Sequence, residues 1–261
     1  MGKMNETKSA CAAGLLLALS AFSMPTAFAA PQNYTFDFSV APDATVGSGV
    51  GNELQYYDTE TGVQVAHITS WYVADGTLAA ATGQYVNDGA NTGVGICNPI
   101  ETDCQASQRG ITDDDGADWM LIMFDRAMNL SEFIVTPDTG SKGKAVWADV
   151  NFYTGFLGSA DLLDGKSYGE LSSGLGLTNF TPPSISKTAA DYTVDITSLN
   201  SGELWGNAIL IGPAVSPSGR VDALFLNNIS TVVPIPAAAW LLLSALGVLF
   251  GQKKLADRKC D

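Results

Sequence analysis

Basic residues are scarce in this sequence. Its 261 residues include 13 Lys and Arg against 27 Asp and Glu, and a single His. Between residues 30 and 232 the imbalance is larger, because seven basic side chains face 24 acidic ones, a net charge of −17. The seven are Arg109, Arg126, Lys142, Lys144, Lys166, Lys187 and Arg220. Nucleic acid is excluded as a natural partner, because binding to phosphates requires a basic surface.

A recognisable catalytic set is also lacking. His67, the only histidine, stands in an alternating segment on the same side as Val65 and Trp71, which favours a half-buried structural role over that of a base. The G-x-S-x-G pattern of serine hydrolases is absent. Carboxylate pairs for sugar hydrolysis could be drawn from Asp125, Glu132, Asp149 or Glu170, but any one pair among 24 acids is weak evidence. We therefore expect that the protein is not an enzyme.

Long helical periodicity is missing between Pro31 and Val232, whereas strand patterns recur. Tyr34, Phe36 and Phe38 alternate with polar residues, which is typical of a strand with one buried face. The segment from Trp119 to Phe124 is apolar on both faces and predicts a central strand. About ten short strands in one domain predict an all-β fold, an antiparallel β-sandwich or jelly roll over residues 30–232.

The N-terminus has the layout of a secretory signal peptide. Lys3 and Lys8 precede an apolar stretch from Ala10 to Phe22, and the small-residue pattern that ends at Ala29 follows. This order predicts a signal peptide over residues 1–29 that is cleaved after Ala29. The alternative is an uncleaved N-terminal anchor.

The C-terminus combines a short motif, an apolar segment and a basic end. Residues 237–251 form an apolar run of 15 residues, about 22 Å long as a helix and short for the roughly 30 Å core of a bilayer. The basic residues Lys253, Lys254, Arg258 and Lys259 follow it and are expected to stay in the cytoplasm. The preceding chain therefore lies outside the membrane, in agreement with the signal peptide.

The motif itself resembles a known sorting signal. Val233, Pro234, Ile235, Pro236 and Ala237, with the apolar helix and the basic cluster behind them, are similar to the PEP-CTERM signals in their VPLPA variant, with Ile235 at the Leu position. The resemblance covers residues 233–261 and implies processing by an exosortase, an intramembrane cysteine protease. An ordinary single-pass anchor is the alternative. The body also resembles, in layout only, the exported domains that precede such tails.

Two of the four cysteines share the oxidising compartment in this topology. Cys11 leaves with the signal peptide and Cys260 stays on the cytoplasmic side, so Cys97 and Cys104 are expected to form a disulfide. A zinc site is the alternative, but two cysteines with His67 far away in the sequence make a poor set of ligands.

The densest acidic cluster lies immediately before the predicted central strand. Asp113, Asp114, Asp115 and Asp118 surround Gly116, and carboxylates on a turning loop are the ligands that calcium prefers. Their spacing does not match an EF-hand. The cluster is thus a calcium candidate, with a solvated turn as the alternative; no other cofactor is expected.

Aromatic residues offer a surface on which sugars could stack. The candidates are Tyr56, Tyr57, Trp71, Tyr72, Trp147, Tyr153 and Trp205, about half of which are expected to pack in the core. Trp147 and Tyr153 share a side with Asp149 and Asn151, so we select these two rings as the carbohydrate contact. The resulting hypothesis is an exported, non-enzymatic surface or matrix protein associated with exopolysaccharide. The alternatives are a secreted glycoside hydrolase or lyase and a calcium-dependent adhesion module.

Overall fold

Antiparallel strands make up most of the described part of the computed structural model of this protein. The structure describes residues 32–87, 92–100, 110–112, 117–137, 150–182, 191–196, 205–214 and 223–233. The strands there are β1 (Gln32–Asp37), β2 (Ala44–Val46), β3 (Glu53–Tyr57), β4 (Val65–Ala74), β5 (Thr77–Ala80), β6 (Thr82–Asn87), β7 (Thr92–Cys97), β8 (Ile111–Thr112), β9 (Asp118–Pro137), β10 (Val150–Gly155), β11 (Thr178–Phe180), β12 (Tyr192–Asp195), β13 (Trp205–Pro213) and β14 (Ala223–Val233). A 3-10 helix (Ala160–Leu163) and one short α-helix, α1 (Tyr168–Ser173), lie between β10 and β11.

The long strand β9 belongs to two sheets. Its first half pairs with β4 and β13, giving a first sheet with the order β2-β3-β4-β9-β13-β10-β11. Its second half pairs with β12 and β14, and β14 also pairs with β1, β7 and β8 in the second sheet. The exposed residues Asp125 and Arg126 lie between the part of β9 that pairs with β4 and the part that pairs with β14, and β13 pairs with β9 on both sides of them.

The main core lies between these sheets. Phe36 of β1 contacts Phe124 at a ring distance of 5.2 Å, and Phe133 contacts Phe152 of β10 edge to face at 5.6 Å. Both contacts join a side chain of one sheet to a side chain of the other. The fold is therefore an antiparallel β-sandwich, and the predicted fold class is confirmed. Trp119–Phe124 is a central strand, as the apolar pattern predicted.

A second apolar cluster lies on the outer face of the first sheet. Residues 156–177, which include the 3-10 helix and α1, cover it with Leu157, Leu163, Leu171 and Leu177. Trp119 lies under this segment and donates a hydrogen bond from Nε1 to the Tyr168 hydroxyl at 2.9 Å. The outer face of the sheet is thus covered over β9, β13 and β10.

The predicted terminal segments lie outside the described residues. Residues 31–233 form a compact unit by themselves, and β14 ends at Val233, the first residue of the predicted sorting motif. Within the described part of the chain, no helix has the length and apolar character needed to cross a membrane. The signal peptide over 1–29, the apolar segment 237–251 and the basic cluster from Lys253 to Lys259 stay predictions.

Candidate functional site

Among the described residues, the outer face of the first sheet stays at least partly exposed over β3, the first half of β4 and the end of the first half of β9, whereas Trp71 farther along β4 belongs to the covered cluster. Strand alternation turns Leu54 and Tyr56 of β3 into the core, so their neighbours in β3 face outward. The same alternation turns His67 of β4 outward. We call the group formed by Glu53, Gln55, Tyr57, His67 and Asp125 the outer polar face.

His67 joins three strands on this face. Its Nδ1 lies 2.8 Å from Glu53 Oε1 of β3, and its Nε2 lies 3.2 Å from Asp125 Oδ1 of β9. Gln55, the register partner of His67, donates from Nε2 to the same Glu53 oxygen at 2.6 Å. The imidazole is half-buried, as predicted for a structural histidine, with 29% of its side chain exposed.

The charged forms of His67 and Glu53 stabilise each other. Burial lowers the pKa of His67, but hydrogen bonds and attraction from Glu53 and then Asp125 outweigh burial and leave the pKa above its usual value. Burial raises the pKa of Glu53, but hydrogen bonds from Gln55 and His67 outweigh it, and that pKa is lowered. Both shifts favour an imidazolium between two carboxylates.

Tyr57 supplies an exposed ring beside these polar groups. The residue is 43% exposed, and its backbone N–H donates to Asp43 Oδ2 at 2.8 Å. Tyr57 opposes Val65 across β3 and β4, and Ala66 opposes Phe124, the residue before Asp125. Two strand spacings, about 10 Å, therefore separate the backbone of Tyr57 from that of Asp125. A sugar ring lying on Tyr57 can reach the polar groups.

The ring selected from the sequence, Tyr153, is covered. It lies on the outer side of its sheet, as its position in the strand pattern indicated, but only 7% of it is exposed. Trp119 lies 5.6 Å from it, and the segment 156–177 packs over both rings. The expectation that Tyr153 is an exposed ring is therefore wrong. Trp147 lies outside the described residues.

The other candidate rings differ in exposure. Tyr56 and Trp71 are buried, at 1% and 4% exposure, and Tyr72 packs partly against the main core. Trp205 has intermediate exposure. Among the candidate rings that the structure describes, Tyr57 alone belongs to the large exposed apolar side chains. Sequence reasoning included Tyr57 but had no signal to prefer it, because its polar neighbours come from strands distant in sequence.

The candidate catalytic carboxylates serve separate local structures. Asp125 contacts His67, whereas Glu132 accepts a hydrogen bond from Ser230 Oγ at 3.3 Å. Glu170 accepts from the backbone N–H and the hydroxyl of Ser167 at the start of α1. Asp149 lies outside the described residues. The structure does not join Asp125, Glu132 and Glu170 in one site.

Asp118 differs from the other members of the calcium candidate. Asp113, Asp114 and Asp115 lie outside the described residues, whereas Asp118 is completely buried at the start of β9. It accepts hydrogen bonds from Asn98 Nδ2 at 3.0 Å and from the Thr112 backbone N–H at 3.2 Å. Its carboxylate thus connects β9 to β8 and to the turn after β7. Among the described residues, no three His, Cys, Asp or Glu side chains are grouped as metal ligands.

Cys97, at the end of β7, is disulfide-bonded. Its predicted partner, Cys104, lies outside the described residues, so the pairing stays a prediction. Of the sorting motif, Val233 is described and Pro234, Ile235, Pro236 and Ala237 are not.

Comparison with protein-family models and with curated proteins finds no match. Among solved structures, the chain is similar to the family 32 CBM from C. perfringens NanJ in complex with galactose, with 14% identity over 64% of this chain and 93% of that chain and a TM-score of 0.33. It is also similar to discoidin II from Dictyostelium discoideum, with 8% identity over 75% of this chain and 61% of that chain and a TM-score of 0.30.

Proposed function

We propose that the protein is an exported, non-catalytic carbohydrate-binding protein of the cell surface or extracellular matrix. The observation that carries the proposal is the outer polar face, where the exposed Tyr57 ring stands beside Gln55, His67 and Asp125. An aromatic ring offers an apolar platform for the C–H face of a sugar, and the neighbouring side chains offer hydrogen-bond partners for its hydroxyls. An open sheet face suits a long polymer better than a small molecule, because it does not enclose its ligand.

Charge favours a neutral polysaccharide as the ligand. The sequence holds no Lys or Arg between Lys8 and Arg109, a range that includes β3 and β4. Arg126 lies next to Asp125 but is turned toward Gln64 and the Tyr34 ring. The imidazolium of His67 is already paired with Glu53 and Asp125. Among the described residues, a uronic-acid polymer would therefore meet carboxylates without a further basic partner on this face, and its binding would need a bridging cation.

The setting outside the cell follows from the two chain ends. A signal peptide over 1–29 directs export, and the tail from Val233 onward, with its basic end, holds the precursor in the membrane for an exosortase-type enzyme. Matrix polysaccharide is then the polymer that the exported protein meets first.

Co-sedimentation with the host's insoluble matrix polysaccharide tests the proposal. The full-length chain in mild detergent should sediment with a neutral polymer, and Tyr57→Ala should bind roughly tenfold more weakly, equivalent to about 1.4 kcal/mol. Phe156→Ala is the matched control, because Phe156 is a 63% exposed ring directly after β10, in the sheet order four strands from Tyr57. It should bind like the unchanged protein.

A reducing-end assay on the same samples separates binding from catalysis. New reducing ends that disappear in Asp125→Asn would replace this proposal with a secreted carbohydrate-active enzyme. Binding only in the presence of calcium would indicate the calcium-dependent adhesion module. Equal loss of binding in the Tyr57 and Phe156 variants would show that the outer polar face is not the binding site.

A further inference from the structure

The hydrogen-bond chemistry of the outer polar face requires a proton on His67. Both ring nitrogens of His67 approach carboxylate oxygens, at 2.8 Å from Glu53 and 3.2 Å from Asp125. An ionised carboxylate only accepts hydrogen bonds, and a neutral imidazole has one donor and one acceptor nitrogen. Both contacts are therefore hydrogen bonds only when the ring is an imidazolium. The neutral ring would set a nitrogen lone pair against one of the carboxylates.

No other charged side chain described near His67 contacts both Glu53 and Asp125. From β3, Glu53 faces His67 and Gln55 holds the same carboxylate; from β9, Asp125 faces the ring. Arg126, the basic residue next to Asp125, donates from Nε to Gln64 Oε1 and lies over the Tyr34 ring at 5.4 Å. Asp43 accepts from the backbone of Tyr57 at the other edge of β3. His67 is thus the cationic group in contact with both carboxylates among the described residues.

We propose that Glu53, His67 and Asp125 form a proton-controlled latch that fixes the outer polar face for binding and weakens it when His67 loses its proton. The inference rests on the proposed function and names the regulation of that site. In the protonated state the latch holds side chains of β3, β4 and β9 in one arrangement beside Tyr57. After proton loss the ring can donate to one carboxylate alone. Asp125, which has the longer contact and is 60% exposed, is then released into solvent.

The direction of the pH effect follows from the contacts. The carboxylates raise the pKa of His67 above its usual value of 6.5, so the latch is complete below about pH 6.5 and opens as the pH rises through the folded value. Binding is therefore strongest in mildly acidic surroundings and decreases toward alkaline pH. Glu53 does not titrate in that range, because its pKa is lowered.

The single histidine makes the latch directly measurable. In NMR spectra of the full-length chain, the imidazole signals of His67 should titrate with a midpoint above 6.5. Asp125→Asn and Glu53→Gln should each move that midpoint down. Glu60→Gln is the matched control, because this exposed carboxylate accepts a hydrogen bond from the Thr35 backbone and does not contact His67. It should leave the midpoint unchanged.

Binding to the matrix polysaccharide completes the test. The unchanged protein should bind about tenfold more weakly at about pH 9 than at about pH 6, whereas His67→Gln should show no such dependence. A midpoint at or below 6.5 in the unchanged protein overturns the latch, as does an identical pH profile in His67→Gln. Binding of equal strength at every pH overturns the latch and leaves the proposed function standing. Absence of binding at every pH overturns the proposed function and, with it, the regulation built on it.

Discussion

Val233 lies opposite Gln32, so the last residue of β14 pairs with the first residue of β1. Val232 next to it pairs with Asn33 on one side and with Asn129 of β9 on the other. The two ends of the sandwich domain therefore leave it side by side. The predicted signal cleavage after Ala29 and the sorting motif from Val233 onward directly flank this pair.

This pairing limits where the exported protein can be processed. We expect a mature form that begins at Ala30 and ends between Val233 and Ala237, because bonds inside β14 are held by strands on both sides. Intact-mass analysis of the exported protein measures both ends. A dominant species that retains residues 240–254 would show that the tail is an ordinary membrane anchor. A C-terminus before Thr231, which is buried, would contradict the expectation that β1 protects β14 from cleavage.

Asp118 should stabilise the fold without calcium. Asp118→Asn should lower the free energy of unfolding by about 1 to 3 kcal/mol, because one of its oxygens would become an amide nitrogen facing hydrogen-bond donors such as the Thr112 N–H. Chemical denaturation in excess calcium and in chelator should give the same decrease.

A calcium site on the neighbouring acidic loop would behave differently. If Asp113, Asp114 and Asp115 bind calcium, millimolar calcium raises the melting temperature of the unchanged protein, since a ligand that binds only the native state stabilises it. Asp113→Asn should remove that increase while Asp118→Asn keeps it. Identical melting with calcium and with chelator would identify the loop as an acidic turn.

The disulfide at Cys97 should be complete in the exported protein. Thiol labelling of the mature form under denaturing conditions should find no free cysteine, because Cys97 is disulfide-bonded and Cys104 is its predicted partner. Cys97→Ser should lower the free energy of unfolding by about 2 to 3 kcal/mol, the loss of a short-loop constraint. Two reactive thiols in the mature form would contradict the pairing.

Asn52 connects the turn before β3 to Gly83 of β6. Its side-chain amide donates to the Gly83 carbonyl at 2.9 Å, and its oxygen accepts from the Gly83 N–H at 2.7 Å, with Asn52 only 5% exposed. Asn52→Ala should lower the free energy of unfolding by about 2 to 4 kcal/mol, because it leaves two buried backbone groups without partners. Equal stability of the alanine variant and the unchanged protein, measured by denaturant unfolding, would contradict this role.

Much of the sandwich could be predicted from alternation alone. The rings of Tyr34, Phe36 and Phe38 are buried as their spacing indicated. The extent of β9 could not be predicted, because Asp125 and Arg126 interrupt its apolar pattern between the part that pairs with β4 and the part that pairs with β14. The predicted central strand from Trp119 to Phe124 is therefore only part of a strand of 20 residues.

The candidate site was harder to predict, because it depends on contacts between distant segments. His67 lies 14 residues from Glu53 and 58 from Asp125, and only the strand register brings them together. Likewise, strand alternation predicted that Tyr153 lies on the outer face of its sheet, but it did not predict that residues 156–177 cover the ring. The covering leucines stand in a segment without a regular helical or strand period, so nothing in the local sequence indicated that this segment packs on the sheet.

Asp58 should make the turn after β3 sensitive to acid. The residue is only 3% exposed, and its carboxylate accepts hydrogen bonds from the backbone N–H groups of Thr61, Val63 and Gln64 at 2.6, 3.0 and 2.7 Å. Burial raises its pKa, but the hydrogen bonds from Gln64, Thr61 and Val63 outweigh burial and hold the pKa below its usual 3.8. A lowered pKa means that this stabilisation is complete above about pH 4 and is lost as the pH falls through the folded value.

Asp58→Asn separates this contribution from general acid unfolding. The variant should be less stable by about 2 to 3 kcal/mol at neutral pH, because an amide nitrogen cannot accept the hydrogen bonds of the turn. Denaturant unfolding at a series of pH values should show that the difference in free energy of unfolding between the unchanged protein and the variant becomes smaller in acid, because the Asp58 carboxyl of the unchanged protein becomes protonated there. Asp75→Asn is the matched control, since Asp75 lies in a turn with φ of 51°, a conformation that Asn also tolerates. A difference that persists undiminished in acid would show that Asp58 stabilises the turn by its shape rather than by its charge.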